Sequence, residues 1–180
     1  MKHGNCGIYI GRFQPFHLGH LHALKYGFSK VPELIIGIGS AQYSHTLENP
    51  FTTGERFTMI KLALDEAGIS RSSYFIIPIP DAEIHKIWVS YVVSQTPSFD
   101  VVFSNEPLTV RLFKEAGFNV ERIPFLDREK YSATEIRKRI IENKDWILLL
   151  PKSVAKFMED IKGLERIIEL AQSDKPRASS

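Results

Sequence analysis

Cysteine is nearly absent from this 180-residue sequence, and Cys6 alone excludes a disulfide scaffold or any structural zinc site that needs two or more thiolates. No apolar run approaches the ~20 residues needed to span a bilayer. The apolar stretch from Cys6 to Ile10 is too short for a signal peptide and runs straight into Gly11 and Arg12. Net charge is also scarce. With 23 basic and 21 acidic residues the sum is +2, too little for a broad polyanion binder. Internal repeats, low-complexity stretches and long linkers are missing. No G-x-x-x-x-G-K-[ST] loop occurs, which argues against a Walker-type NTPase. Gly37-Ile-Gly39-Ser-Ala-Gln42 lacks the third glycine of the dinucleotide fingerprint. The expectation is a cytoplasmic globular chain with no nucleic-acid or membrane partner. Its 43% apolar content is compatible with burying roughly 70% of the unfolded surface.

What is present alternates. Cys6-Gly-Ile-Tyr-Ile-Gly reads as a buried strand, and the stripe Leu18, Leu21, Leu24, Phe28 as a helix. Glu33 to Gly39 is a second strand. Thr52-Thr-Gly-Glu55 has capping-box spacing and opens a helix carrying Phe57, Ile60, Leu64 and Ala67 on one face, closed by Gly68. Strands over 74–79, 100–104 and 118–124 alternate with helices over 84–94 and 107–116. Ser132-Ala-Thr-Glu135 caps another helix to about Asn143, and two amphipathic helices cover 151–161 and 164–172. This alternation predicts an α/β, Rossmann-like doubly wound parallel sheet of about five strands with C-terminal helices. Residues 1–172 are expected to form a single domain whose helical part begins near 132, with 173–180 a polar tail.

Open α/β sheets bind ligands beyond the carboxyl ends of their strands. The first such loop here is Gly11-Arg-Phe-Gln-Pro-Phe-His17-Leu-Gly-His20. Two histidines three apart at a helix start share a face with the unpaired N–H groups and positive dipole end of that helix. Gly19 leaves room for close approach, and Arg12 and Gln14 add donors. Such a cluster suits phosphate oxygens. Ser132, Thr134 and Arg137 offer a second set of donors at another helix start. Residues 122–139 hold six basic and three acidic residues, so the small positive excess sits beside this second set. No His, Cys or carboxylate cluster has metal-ligand spacing, and Asp81 with Glu83 does not make a carboxylate cage.

Together these segments resemble the nucleotidyltransferase superfamily, with its H-x-G-H and S-x-T-x-x-R type motifs. Gly11 to His20, Ile38-Gly-Ser-Ala-Gln42, Asn49-Pro-Phe-Thr-Thr-Gly-Glu-Arg56 and Tyr131-Ser-Ala-Thr-Glu-Ile-Arg137 are similar to the archaeal-type nicotinamide-nucleotide adenylyltransferase family, from about Tyr9 to Gln172. That resemblance implies joining ATP to nicotinamide mononucleotide (NMN) to give NAD and pyrophosphate, with Mg²⁺ and commonly as a homo-oligomer, often a hexamer. It implies that His17, His20, Arg12 and Arg137 form the catalytic phosphate clamp. Gly11, Phe13, Gln14, Phe16, Gly19, Ser132, Thr134 and the backbone around Ile136 would line the ATP side. Trp88 would stack on the nicotinamide, with Asp81, Ser40 and Gln42 holding the mononucleotide. Three departures stand out: Glu48 where the family often carries Lys or Arg, Ala133 for the glycine of S-G-T, and Ser104-Asn-Glu-Pro for S-G-N-P. A cytidylyltransferase, a phosphopantetheine adenylyltransferase and a non-catalytic nucleotide sensor stay open as alternatives at this point.

Overall fold

Strands without polar alternation must be covered on both faces, and this sheet is. The computed structural model of the chain describes residues 5–124, 126–127 and 130–173. Its elements are β1 (Cys6–Gly11), α1 (Leu18–Phe28), β2 (Glu33–Ile38), α2 (Thr53–Glu66), β3 (Tyr74–Pro78), α3 (His85–Gln95), β4 (Val101–Phe103), α4 (Pro107–Glu115), β5 (Asn119–Glu121), α5 (Ala133–Ile141), α6 (Lys152–Asp160) and α7 (Gly163–Ser173). The five strands are parallel in the order β3-β2-β1-β4-β5. The tail expected at 173–180 starts as the last residue of α7, and residues 174–180 lie outside the described residues. Arg128 and Glu129 of the second motif stretch also lie outside them.

Side chains alternate across the sheet, so its two faces build two cores. Leu34, Ile36, Ile38, Val101 and Phe103 pack with α1, α2, α5, α6 and α7. Ile8, Ile35 and Val102 pack with Val89 and Val92 of α3 and Phe113 of α4. Cys6 is buried in the second core, as its place in the apolar first strand predicts, and Trp146 packs against the first core. The C-terminal helices are tied to the sheet layer by polar contacts as well. α6 begins at Pro151 without a side-chain cap of its own, and Glu66 of α2 supplies one, accepting from Lys152 N at 3.2 Å and Ser153 N at 2.8 Å.

The face of α2 differs from the expected one. The buried residues are Arg56, Met59, Ile60, Ala63 and Leu64, while Phe57 is 40% exposed. A rotation of about 100° per residue puts Phe57 outside once Arg56 is inside. Arg56 is fully buried because backbone acceptors surround it. Its guanidinium donates to Gly39 O at 2.8 Å, Arg12 O at 3.1 Å, Ser40 O at 3.2 Å, Tyr43 O at 3.4 Å, Thr53 Oγ1 at 3.0 Å and Thr52 O at 3.4 Å. Burial pushes this group down to about 10, so it stays charged at neutral pH, with Asp81 favouring the charge from a distance. The cage fastens the loop after β1, the loop after β2 and the start of α2 to one point.

Removing the guanidinium would strand several buried carbonyls at once. Arg56→Met should therefore cost at least about 3 kcal/mol, read as a lower urea midpoint at unchanged slope. A loss below about 1 kcal/mol would mean that water replaces the side chain in the cage.

Candidate active site

The order β3-β2-β1-β4-β5 reverses direction between β1 and β4, and the crevice at such a switch point is where open α/β sheets take ligands. A cavity of about 400 Å³ opens there. Its floor comes from Tyr9 and Ile10 of β1 and from Ser104, Asn105 and Glu106 after β4. Arg12, Phe13, Gln14, His17, Gly19 and His20 form one wall, and Tyr131, Ser132, Ala133, Thr134 and Arg137 the other. The two donor sets read from the sequence, in 11–20 and in 132–137, thus face each other across one cavity.

His17 and His20 start α1 with a reciprocal capping box. His20 N donates to His17 Nδ1 and His17 N donates to His20 Nδ1, both at 3.3 Å. The rings stack at 3.7 Å between centroids. An imidazole that accepts at Nδ1 carries its proton on Nε2, so both rings are neutral donors. Burial agrees with the geometry: it pushes His17 down to about 3 and holds His20 well below its usual value, with His17 adding to the latter. Neither Nε2 has a partner among the described residues. Gly19 is required by close approach, since a Cβ there would stand 2.9 Å from the His17 ring and 3.0 Å from Tyr131 O. The opposing loop itself occupies the room that glycine leaves.

Two helix N-termini converge on the cavity. In α1 the amides of Leu18 and Gly19, and in α5 those of Ala133 and Thr134, lie in first turns where no intrahelical acceptor exists. Ser132 caps α5 by accepting from Glu135 N at 3.2 Å. Arg137 is buried, with Nη1 donating to Gln14 O at 2.8 Å and Nη2 to Thr134 Oγ1 at 3.4 Å. Burial and the neighbouring Arg12 lower it from its ordinary value, and Glu48 opposes them. Arg12 is half-exposed, and its Nη1 stands 3.9 Å from Glu48 Oε2.

Other expected ligand contacts have different surroundings. Both ends of the Gln14 amide bond the Phe51 backbone, with Nε2 donating to Phe51 O at 3.0 Å and Oε1 accepting from Phe51 N at 2.9 Å. Phe16 and Ile136 are core side chains, Phe16 stacked on Phe13 at 5.7 Å. Gly11 accepts from Gly39 N at 2.9 Å and does not line the cavity. Asp81, Ser40 and Gln42 form a cluster outside it: Ser40 N donates to Asp81 Oδ1 at 3.2 Å, and Asp81 N to Gln42 Oε1 at 3.0 Å. Trp88 is half-buried, edge-on to Phe113 at 5.6 Å on the second core. Sequence reading missed Tyr9, Tyr131 and the 104–106 segment as cavity walls. The departures prove structurally active there. Asn105 exchanges two hydrogen bonds with the backbone of Ile123, at 2.8 and 3.0 Å, and Glu106 caps α4. Ala133 opens α5 and is not among the residues with positive φ, so glycine is not demanded.

A model of the cytidylyltransferase-like family matches residues 8–139. The chain is 52% identical over 169 residues to the nicotinamide-nucleotide adenylyltransferase of Saccharolobus solfataricus, covering 94% of this chain and 98% of the relative. It is 54% identical over 165 residues to that of Thermococcus onnurineus, covering 92% and 88%. The chain belongs to the nicotinamide-nucleotide adenylyltransferase family. A solved bifunctional NMN adenylyltransferase/ADP-ribose pyrophosphatase from Francisella tularensis, complexed with AMP and a manganese ion, superposes with a TM-score of 0.75. It shares 24% identity, over 94% of this chain and 53% of that one, a likeness of fold.

For this member of the family the neutral histidine pair has a consequence for stability. Below pH 6.5 an unfolded chain protonates His17, whereas the folded chain resists until about pH 3. Stability present at neutral pH is therefore lost as pH falls through that interval. His17→Asn keeps a capping side chain that does not titrate. Between pH 6.5 and about 5 it should make the loss of unfolding free energy shallower, by up to about 1.4 kcal/mol per pH unit. An unchanged slope would show that His17 takes up its proton in the folded state.

Proposed function

We propose that the cavity joins ATP to nicotinamide mononucleotide, releasing pyrophosphate and forming NAD. One observation carries the reading: two helix N-termini, two neutral imidazole donors and two arginines meet in one crevice at the switch point of the sheet. The relatives named above, alike over nearly the whole chain, favour this acceptor over a cytidylyltransferase or phosphopantetheine reaction.

In the proposed reaction an oxygen of the NMN 5′-phosphate attacks the α-phosphorus of ATP, and the bond from that phosphorus to the bridging oxygen of the β-phosphate breaks. Pyrophosphate leaves with the bonding pair. No protein nucleophile is needed, because such transfers depend on positioning and charge stabilisation. His17 and His20 would donate Nε2–H to phosphate oxygens that gain charge. Arg137 and Arg12 would neutralise the triphosphate, with the amides of Ala133 and Thr134 cradling it. Gln14, Phe13, Phe16 and Ile136 shape this side through backbone and packing. Glu48 beside Arg12 would be exchanged for a phosphate oxygen when ATP enters. Among the described residues no group of three or more His, Cys, Asp or Glu is placed to hold a metal, so Mg²⁺ would accompany ATP and remain bound mainly to phosphates and water.

Residues 1–172 would act as one nucleotidyltransferase domain, with the cytoplasm as its location. The same reading includes a homo-oligomer, a hexamer being the expected size. Exposed Ile141, Ile147 and Leu148 are the kind of residue that an interface would cover. Trp88, Asp81, Ser40 and Gln42 would serve the mononucleotide, the Asp81–Ser40–Gln42 hydrogen bonds supporting a preformed loop.

Mixing the purified chain with ATP and NMN should release pyrophosphate, and CTP or phosphopantetheine in place of the matching substrate should not. His20→Ala should lower kcat by about 10²–10³ while leaving the fold intact, the usual loss for one preorganised donor. Wild-type turnover in that variant would remove His20 from the machinery. Trp88→Ala should raise KM for NMN more than for ATP. Equal rises would assign the indole to the core alone.

A further inference from the structure

Arg137 is aimed by a backbone carbonyl, Gln14 O, and no carboxylate pairs with it among the described residues. That carbonyl can hold its place only if residue 14 is itself held. The two buried bonds between the Gln14 amide and the Phe51 backbone, at 2.9 and 3.0 Å, do so. Phe51 is in turn pinned from the far end of the chain. Its ring lies under the Arg166 guanidinium, 5.8 Å away, and against Gly163, where a Cβ would come within 2.8 Å of it. Arg166 Nη1 donates to Pro50 O at 3.2 Å. Its two nitrogens also grip Glu55 at 2.7 and 2.8 Å, while that carboxylate accepts from Thr52 N at 2.8 Å. The pair is only about one-fifth exposed, at 22% and 18%, and bidentate, so solvent screens it little.

The pattern exceeds what docking a helix needs. The first core already buries Phe51 and Ile167, and Thr52 and Glu55 already complete the cap of α2 without help. Arg166 adds direction: a bond to the carbonyl before Phe51 and a fork on the carboxylate after it, which fix residues 50–55 along the chain. We propose that Arg166 on the C-terminal helix is a positioning residue for Arg137, acting through Glu55, the Phe51 backbone and Gln14. The proposal rests on Arg137 being a phosphate clamp. Displacing a clamp by a fraction of an ångström lowers the rate of a reaction that depends on alignment.

The test compares the full-length chain with Arg166→Met, Arg166→Lys, Glu55→Gln, Arg137→Ala and the Arg166→Met/Arg137→Ala pair. Pyrophosphate release is measured at saturating ATP over a range of NMN concentrations, at a temperature where circular dichroism shows each variant folded. Arg166→Met should lower kcat about tenfold with KM for NMN unchanged, and Arg166→Lys, which keeps charge without the fork, should fall between. In the Arg137→Ala background Arg166→Met should add no further loss beyond about twofold. A folded Arg166→Met at wild-type kcat overturns the proposal, and so does the same tenfold loss in both backgrounds. Should Arg166→Met not fold, wild-type kcat in both Arg166→Lys and Glu55→Gln overturns it. Wild-type turnover in Arg137→Ala alone refutes the clamp itself, and the relay falls with it.

Discussion

A guanidinium sealed from water needs as many acceptors as water would have offered it. Arg56 finds them only because Arg12, Gly39, Ser40, Tyr43, Thr52 and Thr53 bring oxygens to one point. Arg12, Gly39, Ser40 and Tyr43 lie outside the strands and helices, so the charge does work there that secondary structure cannot. It obliges the loops after β1 and β2 to take one conformation relative to the start of α2. Left-handed backbone at Phe13 (φ 53) and Ser40 (φ 50), on the same two loops, is a strain that side chains other than glycine tolerate only where the surroundings over-determine it. One cage supplies that over-determination for both the first wall of the cavity and the Ser40–Asp81 cluster.

The cavity then separates two ways of handling anionic charge. Arg137 and Arg12 are permanently cationic, and two helix ends add partial positive charge. Imidazolium rings stacked at 3.7 Å in such a place would repel each other and everything around them. The capping box removes the problem by using both Nδ1 atoms as acceptors, which keeps the rings neutral and turns their remaining N–H groups toward a ligand. Glu48 tempers Arg12 in the same spirit, although as an exposed pair at 3.9 Å it contributes little to stability. Positive potential is thus concentrated on two guanidinium groups and four free amides, in a chain whose total charge is close to zero.

Sequence period was a good guide to elements and a poorer one to contacts. Every strand and helix expected from apolar pattern and capping boxes is present, because those signals are local and α/β alternation leaves few topologies. The two helix starts that line the cavity were readable for the same reason: His17, His20, Ser132 and Thr134 sit where free amides follow from geometry alone. Arg56 was not readable. A charged residue beside Phe57 looks like the outer face of an amphipathic helix, and only the carbonyls converging from elsewhere reverse that. The bonds of Gln14 were not readable either. Its position in the loop suggests a ligand donor, yet Phe51, 37 residues away, takes both ends of its amide. Long-range polar pairs of this kind leave no period or spacing to read.

That failure has a physical pattern. A reaction without a protein nucleophile gains its rate from how well donors are held, and neutral or cationic donors on loops are not held by the sheet below them. They must be braced by buried polar bonds whose partners are distant in sequence, since nearby residues are already engaged in helices and strands. Arg56 braces the loop ends from α2, the Gln14–Phe51 exchange braces the carbonyl that aims Arg137, and the Arg166–Glu55 fork braces Phe51 from α7. Arg56 ties the loop ends directly to α2, whereas the Gln14–Phe51 exchange and the Arg166–Glu55 fork reach the same loop in two steps through residues 50–55. Through these bonds α7 reaches the segment that holds Gln14, fixing residues 50–55 from one side while α2 and the first core hold them from the other.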